Sequence, residues 1–239
     1  EDARFSVNGT NDEIFFRRFS IQNGWANSDH RVTTNDGDSW GSDLVVDSKG
    51  VIHIVWFDYR DGNDEIYYKF SNDNGQTWST AQRLTFDPEI SWDPRIAVDQ
   101  NNNLHVVWYD WRDRKDEVYY KKYDQLTQSW SPDILISNKD GFDSRYPDVA
   151  CVNERVYIVW EDYRDGNDEI YCDISYDSGE TWQGNQRLTF DPHESWAAVV
   201  ATNSKQAFVT WYDYRTGSDE IYDQTSYFTT GISTVIKFK

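Results

Sequence analysis

Val55-Trp56-Phe57-Asp58-Tyr59-Arg60-Asp61-Gly62-Asn63-Asp64-Glu65-Ile66-Tyr67-Tyr68 is a stretch that the chain writes again and again. It returns as Val107-Trp108-Tyr109-Asp110-Trp111-Arg112 with Asp116-Glu117-Val118-Tyr119, and as Val159-Trp160-Glu161-Asp162-Tyr163-Arg164 with Asp168-Glu169-Ile170-Tyr171. A further copy is Thr210-Trp211-Tyr212-Asp213-Tyr214-Arg215 with Asp219-Glu220-Ile221-Tyr222, and Asp12-Glu13-Ile14-Phe15 is a half copy. The steps between the Glu positions are 52, 52, 52 and 51 residues. A period this steady marks a repeat architecture, with several small cores in series.

Working outward from the stretch, each unit divides into four short runs of β character bounded by Gly, Asn, Asp and Pro. In the second full unit these are Ile96-Ala97-Val98, Leu104 to Tyr109, Glu117 to Lys122, and Ile134-Leu135-Ile136. No window carries an apolar stripe at helical spacing, so helix is expected to be nearly absent. The second run is apolar at consecutive positions, as in Val51-Ile52-His53-Ile54-Val55-Trp56, and such a strand must be covered on both faces. Four-stranded sheets stacked radially meet that demand at about 40 to 50 residues per unit. The expectation is an all-β chain: one β-propeller domain over residues 1–239, with units near 1–38, 39–90, 91–143, 144–194 and 195–239. Five blades with an abnormal closure is the first reading, and a fragment of a six- or seven-bladed ring the second. The run Val235-Ile236-Lys237-Phe238 would serve as the last outer strand or cross over to the first blade.

The totals restrict function. Aromatic residues make up 17% of the chain against 13 Gly and 5 Pro, the profile of a packed globular chain. A net charge of −19 argues against nucleic acid, because neutralising phosphates needs clustered Lys and Arg. No apolar run is long enough to span a membrane as a helix. A start at Glu1-Asp2-Ala3, without any Met in the chain, suggests a processed end, and hence secretion or a cell-surface location. Asn8-Gly9-Thr10 is a glycosylation sequon. Cys151 and Cys172 fall in apolar interior slots and are expected to be free thiols.

Between third and fourth runs stand Ser71-Asn72-Asp73-Asn74-Gly75-Gln76-Thr77-Trp78 and Ser175-Tyr176-Asp177-Ser178-Gly179-Glu180-Thr181-Trp182. This Ser-x-Asp-x-Gly-x-Thr-Trp pattern resembles the Asp-box, or bacterial neuraminidase repeat, of sialidase-like propellers. Tyr123 to Trp130 and Gln22 to Trp25 are worn versions. In the pattern Ser71, Asp73, Ser175 and Asp177 bond turn amides, Gly75 and Gly179 take positive φ, Trp78 and Trp182 are buried between blades, and Thr77 and Thr181 complete the motif. The resemblance implies a glycoside hydrolase that grips a carboxylate with three arginines and uses a Tyr nucleophile, a Glu and an Asp. The Arg-Ile-Pro motif of the first such arginine is missing, and Arg60, Arg112, Arg164 and Arg215 share one slot in four units. No catalytic residue is therefore carried over.

In a propeller the loops after second and fourth strands share one face. That face would present Tyr59, Arg60, Trp111, Arg112, Tyr163, Arg164, Tyr214 and Arg215, with Trp40, Trp92 and Trp196 each following a Ser. Exposed rings would receive sugars while Arg and Asp bond hydroxyls around them. Equally, each Asp and Arg could pair to fix the loop while the Trp residues wedge between blades. Arg145, standing where other units have Trp, is the clearest departure from the repeat. His53 and His105 share a slot with Tyr157 and Phe208, which argues for packing. No metal-ligand spacing is present, and calcium at Asp61-Gly62-Asn63-Asp64-Glu65 is a weak option because the twelve-residue loop is absent. The expected function is a secreted, non-catalytic recognition module for a glycan or an extracellular protein. The alternatives are a sialidase-like glycoside hydrolase and a structural spacer.

Overall fold

The structure is a computed structural model, and it describes residues 11–217 and 220–227. The sequon, the Glu1 start, Asp219 and the Val235 to Phe238 run lie outside the described residues. No helix occurs among the described residues, and none is long and apolar enough to cross a membrane. The chain builds antiparallel sheets in which sequential strands are neighbours. One joins Ser39–Val46, Ile52–Asp58, Glu65–Ser71 and Gln82–Arg83 in that order. The next joins Ser91–Val98, Leu104–Asp110 and Glu117–Asp124, whose outer edge carries both Ser129–Trp130 and Ile134–Leu135. Then follow Ser144–Val152, Arg155–Asp162, Glu169–Ser175 and Gln186–Arg187, and finally Ser195–Thr202, Gln206–Asp213 and Glu220–Tyr227. The half copy supplies two short ladders, Phe15–Phe16 with His30–Arg31 and Phe19–Ser20 with Gly24–Trp25. These four- and five-stranded sheets resemble propeller blades. They fall in two compact units, residues 1–94 and 95–239.

The consecutive apolar positions do what their pattern demands. In the 95–239 unit, one face of the Arg155–Asp162 strand sends Val156, Ile158 and Trp160 into a core with Val107, Val118 and Tyr120. The opposite face sends Tyr157 and Val159 into a second core with Ile170, Ala198, Val200 and Trp211. In the 1–94 unit, Ile54, Trp56 and Tyr67 pack on Ile14 and Val32. Trp56, Trp108 and Trp160 are fully buried. At roughly 1.5 to 3 kcal/mol for each large side chain removed from water, these cores dominate the stability of every sheet.

The Trp-x-Asp-x-Arg spacing is a lock built on a buried carboxylate. Asp58 accepts from Trp56 Nε1 at 2.9 Å, Ser39 Oγ at 2.7 Å, Arg60 N at 3.0 Å and Arg60 Nε at 2.8 Å. Burying a charge is costly unless it is paired and fully bonded, which is why Ser, Trp and Arg recur with the Asp. Asp162 repeats the set with Ser144, Trp160 and Arg164, as Asp213 does with Ser195, Trp211 and Arg215. Each guanidinium also lies over the third-strand tyrosine, at 4.2 Å for Arg60 on Tyr67 and 4.4 Å for Arg164 on Tyr171.

A second lock uses the glutamate that opens each third strand. Glu65 and Glu169, both fully buried, take bonds from Thr85 and Thr189, from Arg83 and Arg187, and from Asn63 and Asn167. The copy at Glu117 is incomplete. Leu135 pairs with Tyr119 where Arg83 pairs with Tyr67, so among the described residues only Ser137 Oγ reaches the carboxyl and Glu117 Oε1 is buried without a partner. Burial pushes Glu117 up to about 7.

The two Ser-x-Asp-x-Gly-x-Thr-Trp turns are alike. Asp73 accepts from Thr77 N at 2.9 Å and Thr77 Oγ1 at 2.6 Å, and Asp177 does the same at 2.8 and 2.6 Å. Ser71 Oγ and Ser175 Oγ each accept from the turn glycine N at 2.8 Å. Gly75 and Gly179 have φ of 81° and 85°, and a Cβ on Gly179 would stand 1.9 Å from Tyr120 Oη. Trp78 and Trp182 are half-buried instead of enclosed, set edge-on against Phe16 and Tyr120. Cys151 and Cys172 are unbridged, the first half-buried and the second buried. His53 and His105 are buried, with Nδ1 at 2.7 and 2.8 Å from Tyr68 Oη and Tyr120 Oη.

Candidate functional site

Three of the first strands are broken by a bulge just after the buried Ser. The register shifts between Trp40 and Asp43, between Arg145 and Asp148, and between Trp196 and Val199. The residue after the Trp or Arg has positive φ in all four strands: Gly41 at 57°, Asp93 at 46°, Tyr146 at 50° and Ala197 at 52°. Such bulges re-aim the side chain and the free amide beside them. What they aim at differs from sheet to sheet.

In two places the arrangement is structural. Trp40 Nε1 donates to Asp12 Oδ2 at 2.8 Å and Trp92 Nε1 donates to Asp64 Oδ2 at 2.7 Å, with both indoles half-buried. These rings are wedges tied to a carboxylate. In the Ser144–Val152 strand the wedge is replaced by Arg145, whose Nε bonds Asp116 Oδ2 at 2.5 Å while Nη2 bonds Asp143 Oδ2 at 2.6 Å. In the Ser195–Thr202 strand Trp196 is again half-buried, but among the described residues it makes no bond to Asp168, the counterpart of Asp12 and Asp64.

Opposite this bulge lies the second departure from the repeat. The position between Trp and Asp is aromatic in Phe57, Tyr109 and Tyr212 and is Glu161 in the remaining copy. Tyr109 meets Tyr146 edge to face at 5.5 Å, whereas Glu161 Oε1 accepts the bulge amide of Ala197 at 2.5 Å. Its other oxygen has no hydrogen-bond partner among the described residues, although Glu161 is only 8% exposed. Together Asp143, Arg145, Glu161, Tyr163 and Asp168 line a cavity of about 220 Å³. That lies below the ~300 to 1,000 Å³ of sites for larger ligands and suits one small ring.

The electrostatics set this cavity apart. Burial and the neighbouring Asp168 push the Glu161 carboxyl up to about 7, against the pull of the Ala197 amide and Arg145. Burial raises Asp168 as well, helped by the negative Glu194 and Asp143. Asp116 is raised by burial despite its bond to Arg145. Glu161 is therefore a carboxyl that carries its proton close to neutral pH and faces open space, as a general acid must.

Of the residues singled out from sequence, Arg145 and Tyr163 line the cavity. Tyr59, Trp111, Tyr163 and Tyr214 are exposed. Arg60, Arg112, Arg164 and Arg215 are each bonded to the Asp two places earlier, as in the second of the two readings of that loop. Glu161, Asp143 and Asp168 were not singled out. Comparing the position after each repeated Trp finds Glu161, the one acid in an aromatic column, but nothing in the letters marks Asp168. Among the described residues no group of three or more His, Cys, Asp or Glu could hold a metal ion.

No family model matches the chain, and no curated protein does. Solved structures do match. A protein of unknown function from Dyadobacter fermentans shares 12% identity over 94% of this chain and 72% of its own, with a TM-score of 0.69. The NanB sialidase from Streptococcus pneumoniae shares 10% identity over 98% of this chain, with a TM-score of 0.60, and this chain spans 56% of its length. An endo-arabinase from Bacteroides thetaiotaomicron shares 11% identity over 97% of this chain and 99% of its own, with a TM-score of 0.58. At these identities the likeness is one of fold.

Proposed function

We propose that the cavity between Arg145, Glu161 and Asp168 binds a sugar unit and that the protein is a glycoside hydrolase. The observation that carries the reading is Glu161, an acid in one copy of an aromatic column, held near a pKa of about 7 at the wall of a cavity. Glycosidases need one carboxyl that gives a proton to the leaving oxygen and a second that acts as base or nucleophile. Glu161 takes the first role. Asp168, which lacks the indole donor that Asp12 and Asp64 have and the guanidinium that Asp116 has, takes the second. The likeness of fold to a sialidase and an endo-arabinase supports a carbohydrate substrate, and the two Asp-box-like turns support a place among sialidase-like repeat proteins. A single five-bladed domain and a secreted or cell-surface location complete the proposal.

The test is hydrolysis of a panel of aryl glycosides between pH 4 and 9, with the wild type and Glu161→Gln. Turnover that falls as pH rises through about 7, and at least 100-fold loss in the variant, is the expected result. A second reading, a recognition module without turnover, is favoured by Tyr59, Trp111, Tyr163 and Tyr214 standing exposed at one repeated place. Glycan binding by a wild type that cleaves none of the panel would select it, and a glycan or protein partner would then be sought on those rings.

A further inference from the structure

Resting on the reading of the cavity as a glycoside site, we propose that the sugar unit it takes is uncharged, and that uronates and sialates are excluded. The cavity holds a single guanidinium, and that guanidinium is already committed. Arg145 Nε is on Asp116 and Nη2 on Asp143, and Lys115 Nζ stands 3.6 Å from the same Asp143, so the cations beside the cavity already face protein carboxylates before any ligand arrives. Asp168 adds a third carboxylate with no bonded cation among the described residues, and Glu194 adds negative field beside it.

Arg164, next in sequence to the lining residue Tyr163, is no better placed to grip a carboxylate. Arg164 donates Nε to Asp162 Oδ1 at 2.7 Å, approaches Asp140 Oδ2 at 3.3 Å and lies over the Tyr171 ring. Recognising a carboxylate through a two-pronged Arg contact requires a guanidinium edge free of protein acids. An incoming anion would meet Asp143 and Asp168 within a few ångströms in a partly desolvated space, where like charges repel strongly. A neutral ring has what it needs: the protonated Glu161 Oε2 donates to a ring or glycosidic oxygen, the Asp168 oxygens accept from hydroxyls, and Tyr163 offers an apolar side. The same negative surroundings favour the positive charge that develops on the sugar ring during glycoside cleavage.

The experiment is protein-detected NMR titration with methyl glycosides of neutral hexoses and pentoses, the matching methyl uronides, and methyl sialoside. The expected result is saturable binding of at least one neutral glycoside, with its uronide bound at least tenfold more weakly. Asp143→Asn, which keeps the shape and returns one face of Arg145, is expected to shrink that ratio at least threefold. Preferential binding of a uronide or of the sialoside to the wild type overturns the charge assignment and leaves the glycoside reading standing. A ratio unmoved by Asp143→Asn also overturns it, since Arg145 would then not govern selection. Absence of binding by every member of the panel removes both readings.

Discussion

Glu161→Gln is expected to stabilise the protein at neutral and alkaline pH while it removes catalysis. Glu161 is 8% exposed, and the pKa of its carboxyl rises from the ordinary 4.5 to about 7 in the folded chain. A raised acid means that the folded state holds the proton more tightly than the unfolded chain between those values. Its stabilising contribution is whole below pH 4.5 and is lost as pH climbs through 7. At about 1.4 kcal/mol for each tenfold change, the loss above pH 8 is roughly 3 kcal/mol. Gln is the right probe because its Oε1 still accepts the Ala197 amide and its amide never ionises. Urea unfolding followed by Trp fluorescence between pH 5 and 8.5 reads the effect. The variant should gain about 1 M in midpoint over the wild type at pH 8.5, for a slope of ~3 kcal/mol/M, and only about 0.3 M at pH 5. Two curves that stay parallel across this range would refute the burial argument, and with it the assignment of Glu161 as a proton donor.

The incomplete lock at Glu117 predicts that Leu135→Arg, which supplies the guanidinium seen at Arg83 and Arg187, raises stability by about 1 to 3 kcal/mol, measured by the same unfolding curves. Gly179→Ala should destabilise by about 2 kcal/mol or more, because its Cβ meets Tyr120 Oη at φ 85°, whereas Gly166→Ala, with open space at φ 92°, should cost only about 1 kcal/mol. Thermal melts of the two variants separate the steric from the conformational cost. His105 is lowered by burial, so the unfolded chain takes the proton first and stability should fall as pH drops below about 6.5. His105→Phe, which places there the ring found at Phe208, should flatten that acid slope, as urea midpoints between pH 5 and 7.5 would show.

Much of the fold was legible because the chain states each part four times over. Trp56, Asp58 and Arg60 mean little singly, yet their recurrence at one spacing makes an Asp–Arg pair one of two readings of the loop, and the consecutive apolar run before them calls for a strand covered on both faces. The site was harder to read, for the same reason. Repetition draws attention to what is constant, and Glu161 sat inside the constant motif next to Asp162, where one more acid passed unnoticed. Arg145 was visible because it replaced a Trp outright. Asp168 could not be found from its own letter, since Asp12, Asp64 and Asp116 stand in the same slot. What distinguishes it is a bond that Trp196 does not make, and that is a matter of angle and distance alone. Trp40 and Trp92 could be read from sequence as sugar platforms or as wedges between blades, and what the letters do not carry is the Asp beside each indole N–H, a better partner than solvent.

The positive-φ turn after each buried Ser shapes the main chain alike in sheets whose side chains there differ completely. Gly41, Asp93, Tyr146 and Ala197 share a backbone turn without sharing a chemistry. Because Ser, Trp, Asp and Arg hold that turn from below, the residues facing outward are released from any duty to the architecture. A binding chamber can thus be furnished or emptied by exchanging a pair of side chains, and the walls that support it need not be rebuilt.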